Sequence, residues 1–214
     1  MKWFNSFVFL LKRIYPKRIW SVSTNEKILY LTFDDGPIPE VTPWVLKTLN
    51  QYQAKATFFC IGENVEKNRD VFNTVIAEGH RVGNHTYNHV NGYKTSTKAY
   101  LENVLAFEKL GVSTNLFRPP YGKCKTSQAK PLQKKGYNIV MWDVISEDYD
   151  KNISEEQCYQ TVISQAKKGS IVIFHDSLKA EKNLRYTLPK VLKYFSEKGY
   201  VFNALPADVA ALKQ

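Results

Sequence analysis

Two adjacent carboxylates at the end of an apolar run are the first residues here that suggest chemistry. Ile28-Leu29-Tyr30-Leu31-Thr32-Phe33 is apolar enough for a buried strand. It stops at Asp34-Asp35, which Gly36-Pro37 follow. Gly36 allows a sharp turn, and Pro37 prevents the strand from continuing. The pair therefore falls at the C-terminal end of a core strand, where α/β folds place their reactive groups. Successive strand residues point to opposite faces, but the turn can bring both side chains toward one pocket. Neighbouring carboxylates repel each other unless a metal or an arginine lies close. A polar strand-to-loop turn is the plain alternative for Asp-Asp-Gly taken alone.

His85-Thr86-Tyr87-Asn88-His89 uses two of the four histidines. On a helical turn this spacing sets both rings on one side, at a reach that suits one metal ion. Adding one Asp gives two nitrogens and one oxygen, a catalytic Zn²⁺ type of set with positions left open for water. Other expected strands also end in ionisable groups. Arg118 ends one, Asp143 and Asp148 follow Trp142, and His175 ends Ile171-Val172-Ile173-Phe174. In a parallel barrel such ends share one rim. His80, just past Gly79 at a helix end, reads as a surface or helix-terminal contact without a catalytic role.

The elements that must position these groups alternate from residue 28 onward. Further strands are expected over residues 56–61, 81–84, 115–118, 138–142, 171–175 and 200–203. Helices are expected over 43–52, 64–78, 97–110, 125–135, 154–168 and 188–198, with a short tail helix over 207–212. Thr42-Pro43 reads as an N-cap and first-turn proline, and Ser154 with Gln157 as a capping box. About seven strand–helix units without a linker predict a parallel sheet with outer helices, which right-handed crossovers can close into a barrel.

The 214 residues suit one domain. Aromatics at 14% fit a core, or a cleft for sugar rings or bases. The net charge of +10 favours polyanionic or membrane surroundings. The lysines are scattered and no arginine block occurs, so no nucleic-acid partner is expected. Three cysteines, none paired at metal-type spacing, exclude a disulfide-built domain. The apolar run over residues 3–11 is too short to span a bilayer. Lys12, Arg13, Lys17 and Arg18 follow it rather than precede it, unlike a cleavable signal. Trp3, Phe7, Leu10 and Ile14 share one helical face, which packs on the domain or, alternatively, lies on an anionic membrane. Residues 1–25 thus read as a helical, membrane-facing extension, with peripheral membrane contact through residues 1–20, and residues 26–214 as the catalytic domain. The expected location is cytoplasmic, or peripheral at the membrane or cell envelope.

Five motifs in order give the chain a resemblance to the NodB-type polysaccharide deacetylases of carbohydrate esterase family 4. They are TFDDGP at 32–37, HTYNH at 85–89, RPPYG at 118–122, the segment 142–149, and IVIFHDS at 171–177. The resemblance implies a distorted (β/α)7 barrel, parallel strands with outer helices. It implies a divalent metal, Zn²⁺ first with Co²⁺, Ni²⁺ or Mn²⁺ as alternatives, held by Asp35, His85 and His89. Asp34 would be the general base, oriented by Arg118. The Tyr121 backbone N–H would stabilise the oxyanion. His175, partnered by Asp148, would be the general acid, and Trp142 and Ile173 would shape the pocket for the acetyl methyl. Tyr149 stands where the family usually has Trp, which bears on substrate preference. The implied reaction is hydrolysis of the N-acetyl amide of an amino sugar in a peptidoglycan- or chitin-like glycan. A cyclic or small linear amide substrate and a non-catalytic glycan-binding role are the alternatives.

Overall fold

The computed structural model describes residues 10–212, so Trp3 and Phe7 of the expected amphipathic face lie outside the described residues. Residues 10–14 are helical. β1 (Ile28–Asp34) is buried throughout, as a strand covered on both faces must be. β2 (Thr57–Cys60) and β7 (Ile171–His175) flank it in parallel. Beyond β2 come β3 (Arg81–Asn84), β4 (Leu116–Phe117) and β5 (Asn138–Ile139), and beyond β7 comes β6 (Val144–Ile145). β8 (Val201–Phe202) pairs with the first residues of β1. Helices α1 (Thr42–Asn50), α2 (Gly62–Lys67), α3 (Arg69–Ala77), α4 (Thr97–Glu108), α5 (Thr126–Lys134), α6 (Glu155–Gln165) and α7 (Glu181–Glu197) lie between the strands in sequence.

The fold is a distorted (β/α)7 barrel with parallel strands. Its edges, β5 and β6, do not pair with each other. Residues 19–22 fill the seam instead. Ile19 N–H donates to the Ile139 carbonyl at 2.8 Å, Met141 N–H donates to the Ile19 carbonyl at 2.6 Å, and Val22 N–H donates to the Gly169 carbonyl at 2.9 Å.

Strand alternation divides the core. Leu29, Leu31 and Phe33 of β1, with Val172 and Phe174 of β7, pack against Val45, Leu49, Leu188 and Val191 of α1 and α7. Ile28, Tyr30 and Ile171 face the other way, with Phe59, Leu116 and Val140. Asp34 and His175 continue these inward rows, and they are register partners at adjacent strand ends.

Several elements differ from expectation. The expected helix over 64–78 is two helices that meet at Asn68, whose φ of −123° and ψ of 49° break the spiral. Asn68 uses its freed side chain to donate to the Pro37 carbonyl at 3.0 Å. α7 starts at Glu181 rather than 188 and runs through Pro189. Burial of Leu184 and Leu188 carries the helix past a residue that ordinarily marks its first turn. The expected strand over 138–142 ends at Ile139, because Val140 leaves to bridge Ile19. Residues 207–212 form turns instead of a helix. Thr42 is not the N-cap of α1; Val41 holds that position without a side-chain cap.

Candidate active site

Asp34 is aimed by Arg118. The guanidinium is fully buried, and its Nη1 donates to Asp34 Oδ1 and to Thr32 Oγ1, both at 2.7 Å. Nη2 donates to the Met141 carbonyl at 2.9 Å and Nε to the Val140 carbonyl at 3.3 Å, while the Phe59 ring lies 4.1 Å from the guanidinium carbon. A buried charge is tolerated only when paired and hydrogen-bonded in this way. Asp34 is consequently held as a fixed acceptor.

Asp35 would point away if β1 continued. Its φ of 84° turns it back, so both carboxylates line one cavity of about 410 Å³. Three side chains hold that turn. Asn64 Nδ2 donates to the Asp35 carbonyl at 2.7 Å. Asp176 Oδ1 accepts from Gly36 N–H at 3.1 Å, and its Oδ2 accepts from the Thr42 hydroxyl at 2.6 Å. A Cβ on Gly36 would collide with the Asp176 carboxylate, so the close approach requires glycine.

His85 and His89 converge on Asp35, though not from a helix. Residues 85–89 form a loop in which Thr86 (φ 66°) and His89 (φ 55°) are left-handed. Asn84 Oδ1 pins the loop by accepting from Thr86 N–H at 2.8 Å. Nδ1–H of His85 donates to the Arg118 carbonyl at 2.7 Å, so its Nε2 carries a lone pair. That nitrogen lies 3.8 Å from Asp35 Oδ1 and 3.7 Å from Asp34 Oδ2. His89 Nε2 lies 3.2 Å from Asp35 Oδ1, outside hydrogen-bond geometry. Burial lowers the His85 pKa to about 4 against the raising effect of Asp34, so the ring is neutral. Burial alone would raise that of Asp35, but His89, His175 and His85 outweigh it and hold the carboxyl well below the usual range.

His175 is built the opposite way. Asp148 Oδ1 accepts from its Nδ1–H at 2.7 Å, and Oδ2 accepts from its backbone N–H at 2.8 Å. Burial would lower the imidazole pKa, but Asp148 and, less strongly, Asp35 and Asp34 raise it to about 9. The ring is therefore cationic at neutral pH. Glu147 (φ 62°) turns the chain into Asp148, and Asn183 Nδ2 donates to the Asp148 carbonyl at 3.2 Å.

Tyr121, Trp142, Ile173 and Tyr149 also line the cavity. Tyr121 is left-handed (φ 60°), and its exposed ring lies 4.7 Å from that of His89. Tyr149 meets the His175 ring edge-on at 5.0 Å. Two other expectations are corrected. Asp143 does not join the rim. It accepts from Ile171 N–H at 2.8 Å and the Ser170 hydroxyl at 3.0 Å, at the opposite end of β7. His80 is buried, not a surface contact, and its Nδ1 accepts from Ala56 N–H at 3.1 Å. Asp176 went unrecognised in the sequence; the only local hint was its position directly after His175.

Fold and site together define a class: a parallel barrel enzyme whose strand ends gather an arginine-held carboxylate, an aspartate-held imidazole and an Asp-His-His cluster. Residues 21–140 match the polysaccharide deacetylase family model, and the chain belongs to that family, carbohydrate esterase family 4 with NodB homology. It is 38% identical over 188 residues to a peptidoglycan-N-acetylglucosamine deacetylase of Bacillus cereus, across 86% of this chain and 88% of that one. A solved peptidoglycan N-acetylglucosamine deacetylase superposes with a TM-score of 0.83 at 33% identity, across 87% of this chain and 90% of that one. A family 4 pseudoenzyme from Bacillus anthracis shares the fold, with a TM-score of 0.80 at 23% identity across 90% of this chain and 68% of that one.

Proposed function

We propose that this chain hydrolyses the N-acetyl amide of an amino sugar within a peptidoglycan- or chitin-like glycan, releasing acetate. The observation that carries the reading is the pairing of opposite electrostatics in one cavity. Asp34 is held as a base by Arg118, and His175 is held as a charged acid by Asp148, both beside the Asp35-His85-His89 cluster.

That cluster fits a divalent metal. One ligand atom from each residue lies within 4.8 Å of the others. Asp35 Oδ1 is buried with no hydrogen-bond partner, an orphaned acceptor facing two imidazole nitrogens. Two nitrogens and one carboxylate oxygen suit Zn²⁺, and also Co²⁺, Ni²⁺ or Mn²⁺. When bound, such an ion supplies a Lewis acid that activates water and polarises the amide carbonyl.

The chain's own groups divide the remaining work. Asp34 takes a proton from the attacking water, and Arg118 fixes the direction from which it does so. The water oxygen bonds to the amide carbon, and the Tyr121 backbone N–H donates to the oxyanion. His175 delivers its Nε2 proton to the sugar nitrogen as the carbon–nitrogen bond breaks. Acetate and a free amine result. Trp142 and Ile173 enclose the acetyl methyl.

The cavity adjoins a second of about 240 Å³, with which it shares Tyr121, Gly122, Lys123 and Trp142. Room beyond the reacting group favours a chain over a small cyclic amide. Such a glycan places the reaction at the cell envelope or the membrane surface. No helix among the described residues is long and apolar enough to cross a membrane. The test is acetate release from chitooligosaccharide and peptidoglycan fragments with defined metals added. Asp34→Ala should abolish it, and unchanged release would defeat the assignment of the base. Tight glycan binding without turnover under every metal would favour the non-catalytic role.

A further inference from the structure

Arg18 is a buried charge that the reaction as derived does not use. It is only 4% exposed, yet among the described residues it forms no ion pair. Its guanidinium carbon lies 4.0 Å from the centre of the Tyr15 ring, and Nη2 donates to the Cys124 carbonyl at 2.7 Å. Stacking covers one face of the guanidinium, whereas its donors lie in the plane. The Cys124 carbonyl takes one of them, and among the described residues no other acceptor meets the fork. Arg118, also buried, has Asp34 as its counter-charge. A buried charge is ordinarily paired, so an anion is what Arg18 lacks. The side chain lines the second cavity of about 240 Å³, together with Leu11, Tyr15, Trp20, Tyr93 and Met141. In such apolar and aromatic walls a charge pair is less screened than in water. Leu11, Tyr15, Arg18 and Trp20 all precede residue 21, where the family match begins.

We infer that the second cavity is a small-carboxylate site anchored by Arg18, and that it receives the acetate released in the catalytic cavity beside it. The inference rests on the deacetylase reading above. Hydrolysis turns a neutral amide into an anion, so a buried guanidinium discriminates the product from the acetyl group it came from. Trp142, which encloses the acetyl methyl in that reading, lines both cavities. Acetate therefore has a short path to Arg18. The planar fork of arginine matches a carboxylate with two parallel hydrogen bonds, and the rings around it suit a methyl group. The glycan and the acetate do not compete for this space. Tyr121 and Lys123, which both cavities share, are exposed and form the mouth across which a chain can lie. Arg18 belongs to the buried wall.

The experiment titrates acetate into the Zn²⁺-loaded protein and reads saturation transfer from aromatic protons to the acetate methyl by NMR. Excess acetohydroxamate, a metal chelator, keeps acetate off the Asp35-His85-His89 cluster. Wild type should still bind acetate in its presence. Arg18→Gln should weaken that binding about tenfold or more, the range of hydrogen bonds to a charged group, and Arg18→Lys should keep part of it. Leu11→Trp leaves Arg18 and its bonds in place but fills the cavity. It should also lose the binding with its thermal transition retained, which decides the matter if Arg18→Gln fails to fold. Propionate should displace the acetate, and neutral acetamide should not. In turnover of chitooligosaccharide, added acetate should lower kcat without raising KM, and less so in Arg18→Gln. Acetate binding that acetohydroxamate abolishes in wild type, or that persists unchanged in Leu11→Trp and in a folded Arg18→Gln, overturns the inference and leaves the deacetylase reading standing. Acetate binding that follows these expectations, with no acetate released from any glycan, defeats the deacetylase reading and leaves the carboxylate site alone.

Discussion

Asp34 and His175 are neighbours in register, yet their partners differ in kind: Arg118 donates to the Asp34 carboxylate, and the Asp148 carboxylate accepts from His175. That contrast carries two predictions about single residues. Asp34→Ala would leave Arg118 buried without its carboxylate, a change that costs about 3–5 kcal/mol. Asp34→Asn is the cleaner probe, because its carbonyl oxygen still accepts from Nη1 while the amide cannot act as a base. Acetate release should fall about a hundredfold or more, with a smaller drop in thermal midpoint than in Asp34→Ala. The second prediction concerns pH. His175 acts in its protonated form, so activity is lost as pH rises through its pKa of about 9. Asp148→Asn removes the strongest raising influence and leaves burial, which lowers the pKa. The alkaline limb of the kcat/KM profile should therefore move to lower pH. The same raised pKa stabilises the fold fully below the ordinary histidine value, and that contribution fades as pH rises through the folded value. An alkaline limb that stays in place in Asp148→Asn would show that some other group supplies the proton.

At the scale of elements, the turn from β1 into α1 is held by a network that spans the chain. Thr42 Oγ1 accepts from Ile38 N–H at 2.9 Å and donates to Asp176, which also holds Gly36. Burial, the largest influence on Asp176, raises its pKa to about 8 despite these bonds. Thr42→Val keeps the shape but removes the donor, leaving a buried carboxylate oxygen unsatisfied at a cost of about 1–3 kcal/mol. It should lower the thermal midpoint and weaken divalent-ion binding measured by calorimetry, since Asp35 sits on the turn being held. A variant with both quantities unchanged would show that the network does not position Asp35. This network also marks where sequence reading stops. β1, β7 and their terminal Asp34 and His175 were legible because burial and alternation are written locally. Thr42 looked like a cap because its partner Asp176 lies 134 residues away. The His85–His89 spacing would suit a helical turn, but two left-handed residues, one of them a β-branched threonine, make it a loop that local propensity does not indicate. Of the six non-glycine residues with positive φ among those described, all but Gln53 lie in loops of the site. Strain of this kind, about 1–3 kcal/mol each, persists where surrounding contacts impose it.

At the scale of the whole molecule, the barrel depends on residues outside its strands. The family match begins at residue 21, yet Ile19 is buried and its backbone bridges the segment after β5. Nothing in its local sequence marks Ile19 as a seam residue, because its partners lie beyond residue 138. Trp142, which lines the catalytic cavity, follows the seam directly, since Met141 donates to Ile19. Closure and site are therefore coupled through one short stretch of backbone. Gly169 is the sensitive point on the other side. Its φ is 78°, and a Cβ there would drive into the Val22 carbonyl. Gly169→Ala should open the seam without touching any side chain of the cavity. Amide exchange should accelerate at Val22, whose N–H donates to Gly169, and then at Ile19 and Met141. The thermal midpoint should fall. kcat/KM should fall as well, through Trp142, while Asp34, His175 and the Asp35-His85-His89 cluster stay in place. Faster exchange at Val22 with unaltered turnover would separate closure from catalysis and assign residues 19–22 to stability alone.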